Sequence, residues 1–451
     1  MSGALMRDLR EMARMAAPIV FVSVGVQAMG VVDALMVGKL GGGAIASVAL
    51  GNFYFFNVSI FGIGMLYAID PVVAQSLGAR DSVGAARGVQ RGMLLAVFIA
   101  AVVTLVLLPG ETVLTALRQP EDIIEPTAAY TRRRVIGLLP FLLFNVWRQT
   151  MQALGTMRPV VITVVAANAV NAVANYALIY GNWGFPALGV VGAGWATALS
   201  AWTMAAALLY MGWSRLRPLL RPWHAESWQW HPLKRLAVLG APIGTQWFFE
   251  SFAFGLTTIF MGWFGTATLA GHEIALNMAS LTFMVPLGFS GAAAAVVGRA
   301  VGRGDMDAAR RDAIAAIACA VGFMCVSAVV FTLIPEFLAT RYTQDAATVA
   351  IAASLIPIAG VFQVFDGTQA VTSGVLRGTG DTRIPALLHV VAFWGVGIPL
   401  GAALGFLTPL KERGLWWGLT AGLAAAAVLQ SLRVVVRLRG PVKRVQLDST
   451  P

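Results

Sequence analysis

Three carboxyl side chains stand inside long apolar runs: Asp33, Glu250 and Asp366. A charged group near the centre of a bilayer costs several kcal/mol, about 2.5–3.5 on insertion scales, so an acid in such a run is a functional candidate by default. Two kinds of chemistry suit it. A carboxyl withdrawn from water resists ionisation and can take up and release a proton. Several converging oxygens can instead hold Na⁺, a hard cation that suits carboxylate and carbonyl ligands. Asp33 has candidate partners in later runs. Asn171 and Asn175 are four apart and share a helical face, and Thr197 follows in the next run. These four form a candidate ion-coupling group, although intramembrane amides also serve simply to bind helices together. Glu250 and Asp366 form a second group, a candidate Na⁺ or cargo site. Phe254, one turn after Glu250, could turn a ring face to a cation; ordinary packing is its plainer role. Asp70, just before Pro71, and Glu273 lie near the ends of their runs and carry less weight.

Enzymatic constellations are missing. The nearest approach to a phosphate-binding loop, Gly38-Lys39, has Asp33 where the first glycine belongs, and His272-Glu273 lacks the second histidine of a zinc-protease motif because position 276 is leucine. Cys319 and Cys325 share one apolar run and suit neither a disulfide framework nor a metal site. No nucleophile–base pair stands within the spans, so the chain is expected to be no enzyme and to need no cofactor beyond a coupling ion, H⁺ or Na⁺.

The elements that must position these acids are membrane helices. Of 451 residues, 58% are hydrophobic and 12% charged, with mean hydropathy +0.76; a soluble domain is nearer one-quarter charged. Apolar runs of about 20 residues predict twelve spans, so the fold class is an all-α polytopic membrane protein with two six-helix bundles. The halves are related by a repeat. Ala17-Pro18-Ile19, Gly38 and Gly41 return 224 positions on at Ala241-Pro242-Ile243, Gly262 and Gly265, and Gly78, Asp81 and Arg87 return at Gly302, Asp305 and Arg311. The repeat has Thr257 opposite Asp33 and carries its own acid, Glu250, opposite Val26. Related helices thus hold acids at different depths, as in a duplicated protein whose halves have specialised. Six spans per half make the two repeats parallel. The expected division is an N-terminal lobe over residues 1–213, a polar connector over 214–236, a C-terminal lobe over 237–434 and a basic tail over 435–451.

The net charge of +11 does not point to nucleic acid, because the basic residues sit in short loops. Twenty-four of the 32 Lys and Arg fall on the side that carries both termini, which makes that side cytoplasmic. Arg132, Arg133 and Arg134 fall on the opposite side, at the mouth of span four. The N-terminal segment has no separate apolar region with a cleavage site. The glycine pairs Gly401/Gly405 and Gly418/Gly422 have the spacing of close helix contacts.

The chain resembles the multidrug and toxic compound extrusion (MATE) family, and its NorM-like branch in particular. The resemblance is carried by Ala17-Pro18-Ile19, Val32-Asp33 through Gly38, Pro71 with Val73-Ala74-Gln75, the stretch Gln152 to Pro159, Glu250, and Leu376 to Pro385. It implies twelve helices in two lobes and antiport of drug-like, mainly cationic compounds against H⁺ or Na⁺ across a bacterial inner membrane, by a monomer with both termini cytoplasmic. Asp33 matches the family's first-helix acid, with Asn171, Asn175 and Thr197 near it. Glu250 and Asp366 match the cation site of the NorM-like C-lobe. Some sodium-coupled relatives carry a tyrosine one turn before the latter acid; this chain has Phe362, one oxygen ligand fewer. The rival expectation is a lipid-linked precursor flippase, which would handle an anionic pyrophosphate with Arg or Lys, whereas the acids here favour cationic cargo.

Overall fold

A backbone in lipid finds no water to hydrogen-bond, so it must satisfy its own N–H and C=O groups, and an apolar chain of this length does so as helices. The computed structural model describes residues 3–448 and contains no strand among them. Twelve spans run in chain order. The first six are α1 (Gly3–Gly38), α2 (Gly42–Gly78), α3 (Ser82–Leu107), α4 (Glu121–Val135 and Leu138–Ala153), α5 (Arg158–Tyr180) and α6 (Val190–Met211). The second six are α7 (Trp230–Trp263), α8 (Thr266–Arg303), α9 (Met306–Leu333), α10 (Ala346–Gly378), α11 (Arg383–Leu407) and α12 (Glu412–Arg439). Ten are long and apolar enough to cross a membrane by themselves. The other two are α4, interrupted at Ile136–Gly137, and α7.

The duplication is visible in local chemistry. Asp81 caps α3, accepting from Gly84 N at 2.7 Å, and Asp305 caps α9 in the same way, accepting from Ala308 N at 2.9 Å. Each carboxylate thereby satisfies one of the free N–H groups of a helix start.

Two compact units emerge, and their boundaries fall inside helices. One unit comprises Phe21–Leu77, Asp81–Gly244 and the chain from Gln446 onward; the other comprises the chain up to Val20, Gly78–Arg80 and Thr245–Val445. The breaks at Val20 and Gly244 are themselves 224 residues apart. In the first unit the start of α7 lies against α2, where a Cβ on Gly64 would come within 2.7 Å of Gly244 Cα. In the second the start of α1 lies against α8, where a Cβ on Gly288 would meet Val20 N at 2.8 Å. Gly64 and Gly288 are again 224 apart, so both halves use one glycine for the equivalent close crossing.

Within the first unit the polar connector is anchored. The Gln90 amide donates to the carbonyls of Leu219 and Pro222, both at 3.1 Å, and its oxygen accepts from His224 N and Ser227 Oγ. Arg91, fully buried, donates to Glu226 O at 2.9 Å and pairs with Asp448 of the tail. Arg87 adds Glu226 at 3.0 Å and Asp448 at 3.6 Å. In the second unit α11 and α12 meet along their glycines, for a Cβ on Gly418 would fall 2.1 Å from Gly401 Cα. The spacing read in the sequence therefore marks a real crossing. Just before it, α11 widens into a π-helical turn over Ala392–Gly397.

Candidate functional site

The first acid site is built on three helices of one unit. Asp33 lies about one and a half turns before the end of α1 and is almost completely buried. From α5, Asn175 Nδ2 donates to Asp33 Oδ1 at 2.6 Å and Asn171 Nδ2 donates to the same oxygen at 3.0 Å. Their four-residue spacing is what brings both amides to one side of the helix. From α6, Thr197 Oγ1 lies 2.8 Å from Asp33 Oδ2 and 3.0 Å from the Ala193 carbonyl. A hydroxyl has one proton to give. When Asp33 is ionised, Thr197 donates to it. When Asp33 is protonated on Oδ2, the carboxyl can donate to Thr197, whose own proton turns to Ala193 O. The site can therefore carry either protonation state of Asp33 without stranding this pair. The carbonyl oxygens of Asn171 and Asn175 are buried without a partner. Asn168, three residues before Asn171, instead donates to the Gly25 carbonyl and ties α5 to α1.

Three further residues extend this site: Tyr130 and Asn52, which the sequence did not single out, and Arg134, the last of the arginine run at the mouth of span four. Tyr130 on α4, fully buried, is within hydrogen-bond reach of Thr197 and donates to Asn52 Oδ1 at 2.8 Å. Arg134, one turn later, bonds the same Asn52 oxygen, and its guanidinium lies 4.2 Å from the centre of the Phe55 ring. The arginine run thus has divided roles. Arg132 makes an exposed ion pair with Glu111 at 2.7 Å, Arg133 lies over Trp195, and Arg134 turns toward the Asp33 network. The run goes against the charge bias that sets the topology, and nothing in the sequence assigned its members separate roles.

The second acid site lies on α7, α10 and α11 of the other unit. Glu250 is partly buried, and Asp366 is buried within electrostatic reach of it, with Oδ1 lacking a hydrogen-bond partner. His389, completely buried, places Nε2 3.5 Å from Glu250 Oε2 and Nδ1 2.9 Å from Gln369 Nε2. Phe254 sets its ring edge-on to Phe362 and Phe393, each about 6.0 Å away, which engages it in packing. Phe362 is itself buried against Trp416. An exposed aromatic pair on α7, Phe248 and Phe252, stands two residues either side of Glu250 and so on another face of the helix, with Phe252 stacked on Trp394 of α11 at 5.6 Å. His389 gave little signal in the sequence, since it is one of four scattered histidines.

The two lesser acids separate. Glu273 is exposed on α8. Asp70 is buried, not exposed at an interface, beside the break in α2 at Tyr67–Ala68, where the Gln149 amide, turned to its better-bonded orientation, donates to Asp70 Oδ1 at 3.2 Å. Neither joins the two clusters above.

Twelve helices, ten of them long and apolar enough to cross a membrane, with buried carboxyls in both halves define a polytopic membrane protein of duplicated design. The chain belongs to the MatE family, whose model matches residues 18–177 and 242–403, one block in each half. It is 36% identical over 445 residues to a probable multidrug resistance protein NorM of Mesorhizobium japonicum, covering 96% of this chain and 95% of that one. It is 35% identical to the multidrug resistance protein PmpM of Pseudomonas aeruginosa, covering 95% and 91%. Among solved structures, the eukaryotic MATE transporter AtDTX14 superposes with a TM-score of 0.87 at 21% identity over 96% of both chains. An outward-facing MATE transporter of the MOP superfamily superposes with the same score at 20% identity, over 98% of this chain and 97% of the other. Both share the fold.

Proposed function

We propose that this chain is a secondary antiporter of the bacterial inner membrane, with both termini cytoplasmic, that exports organic and mainly cationic compounds by alternating access, driven by H⁺ or Na⁺. The observation that carries the reading is Asp33: a buried carboxylate inside a membrane helix, held by Asn171, Asn175 and Thr197 in an arrangement that tolerates both gain and loss of a proton. An acid so placed binds a coupling ion in one state and is free in another, and transport follows from the difference in affinity between states. Glu250 and Asp366, within electrostatic reach of one another, offer negative charge to a cationic cargo. The NorM and PmpM relatives are named multidrug resistance proteins, which supports drug-like small molecules as the cargo.

The lipid-linked flippase has weaker support. Arg148 is buried on α4, where it bonds Tyr67 OH at 2.9 Å and Asn145 Oδ1 at 3.1 Å, but it is a single cation and not a lining suited to a pyrophosphate. The test is ethidium efflux from proteoliposomes with a pH gradient or a sodium gradient imposed separately. Efflux under either gradient supports the antiporter; no flux under both would discard it.

A further inference from the structure

His389 is the part of the second acid site that neither the family match nor the sequence explains. Its ring is sealed from solvent, stacked on Phe393 at 4.6 Å, and wedged between α10 and α7. Gln369 and Asp366 lie three residues apart on α10, hence on one face of that helix. Gln369 presents its amide N–H to His389 Nδ1 at 2.9 Å. In this orientation of the Gln369 amide Nδ1 is the acceptor, which assigns the imidazole hydrogen to Nε2. That atom lies 3.5 Å from Glu250 Oε2, close enough for its dipole to act on the carboxyl but without a hydrogen bond between them, and Asp366 Oδ1 likewise makes none. The charged group beside the imidazole is Glu250 from α7, and Asp366 from α10 lies within electrostatic reach of Glu250. From α12, Gln430 is engaged with Thr372 and the Pro385 carbonyl, and Arg433 is paired with Asp381 at 2.7 Å. The π-helical turn at Ala392–Gly397 starts three residues beyond His389, and such turns recur at functional sites.

We propose that His389 is a positioning residue of this site: a fixed N–H donor that sets how readily Glu250 gives up its proton and makes the exchanged ion a proton instead of Na⁺. The proposal rests on the antiporter reading and goes further by naming the coupling ion. An imidazole turned with its hydrogen inward shows a bound Na⁺ no lone pair, so it cannot serve as a ligand and sets the positive end of an N–H dipole against the ion. Toward a carboxylate the same N–H is favourable, because a donor to the charged form stabilises that form. The step balances simply. Glu250 ionised is favoured by the nearby Nε2–H dipole and can hold a cationic cargo; one proton arriving on a Glu250 oxygen makes the neutral acid, and the cargo's counter-charge is gone.

The experiment is ethidium binding to purified protein in detergent, titrated against pH, for the unaltered chain, His389→Asn and His389→Gln. Asn keeps a partner for Gln369 on the Nδ1 side but cannot reach Glu250; Gln places an N–H near the Nε2 position and cannot titrate as imidazole does. The expected result is a binding midpoint about one pH unit higher in His389→Asn, a tenfold change in proton affinity, and a midpoint close to the original in His389→Gln. Replacing potassium chloride by sodium chloride at fixed pH should leave binding unchanged. His389→Leu, which also lacks the donor, repeats the first shift if the Asn variant proves unstable. Midpoints unmoved in both Asn and Leu, or sodium that displaces ethidium from the unaltered protein, would overturn the proposal alone. No ethidium binding by the unaltered protein at any pH would remove the antiporter reading and this proposal together.

Discussion

The two acid sites contrast in how their carboxyls are held. Asp33 receives two amide donors and faces a hydroxyl, on helices that bring nothing else charged as close. Glu250 and Asp366 share a neighbourhood with a single imidazole N–H at 3.5 Å, and Asp366 Oδ1 has no donor at all. Hydrogen bonds to charged groups contribute roughly 1.5–3 kcal/mol each, and a buried polar atom left without one costs about 1–3 kcal/mol. The first site is therefore organised around its own carboxylate, whereas the second is organised around what comes to it. Duplication supplied two equivalent helices, α1 and α7, and the halves diverged by placing an acid at Asp33 in one and at Glu250, opposite Val26, in the other.

The largest expected effect separates charge from hydrogen bonding at Asp33. In Asp33→Asn the amide oxygen can still accept from Asn171 and Asn175, and its NH₂ can donate to Thr197, which turns its own proton to Ala193 O. The fold should survive, and gradient-driven ethidium efflux should fall at least tenfold, to the protein-free rate. Full drug resistance in cells carrying this variant would sink the assignment. In Asp33→Leu, by contrast, two buried amide donors lose their acceptor, at a cost of about 1–3 kcal/mol each, so the thermal midpoint in detergent should drop clearly. At the second site the comparison should invert. Asp366→Asn and Asp366→Leu break no hydrogen bond seen at Oδ1, so the thermal midpoint should hold or rise while efflux falls about tenfold. A drop in Asp366→Leu as large as that in Asp33→Leu would erase the distinction between the sites.

How much of this was legible follows from the same contrast. The Asp33 cluster could be read because two amides four residues apart on an apolar helix announce one face, and a lone acid in lipid requires partners. Tyr130 and Arg134 could not. They lie four apart on the polar first piece of α4, Glu121–Val135, which carries acids and arginines together, so neither stands out there as a buried group. His389 lies 139 residues beyond Glu250 on a helix with a π-helical turn, and no spacing rule connects them. The twelve-helix fold came through from apolar length and the repeat. The exchange of helix starts at Val20 and Gly244 is written in Gly64 and Gly288, but 48 glycines in the chain concealed the pair.

Thr197 gives a smaller test of the first site. Thr197→Val keeps the shape and removes the hydroxyl, so Asp33 Oδ2 loses its donor and a protonated Asp33 loses its acceptor. Efflux should slow about three- to tenfold, as expected from loss of a single hydrogen bond to a charged group, on the order of 1.5 kcal/mol. Thr197→Ser should restore most of the rate. Equal defects in Val and Ser would mean that the methyl group, not the hydroxyl, matters there.

The smallest effect is expected where the halves agree. Asp305→Ala removes the side-chain cap of α9, which typically costs ~1 kcal/mol, and should lower the thermal midpoint slightly while leaving ethidium efflux unaltered. Asp81→Ala removes the equivalent cap of α3 and should cost at least as much, because Asp81 begins the helix whose Gln90 and Arg91 anchor the connector and tail. Two similar losses with intact transport would show that the duplication still governs the scaffold, and that divergence between the halves is concentrated around the carboxyls. An efflux defect in Asp305→Ala would instead place a cap, far along the chain from either acid, within the transport cycle.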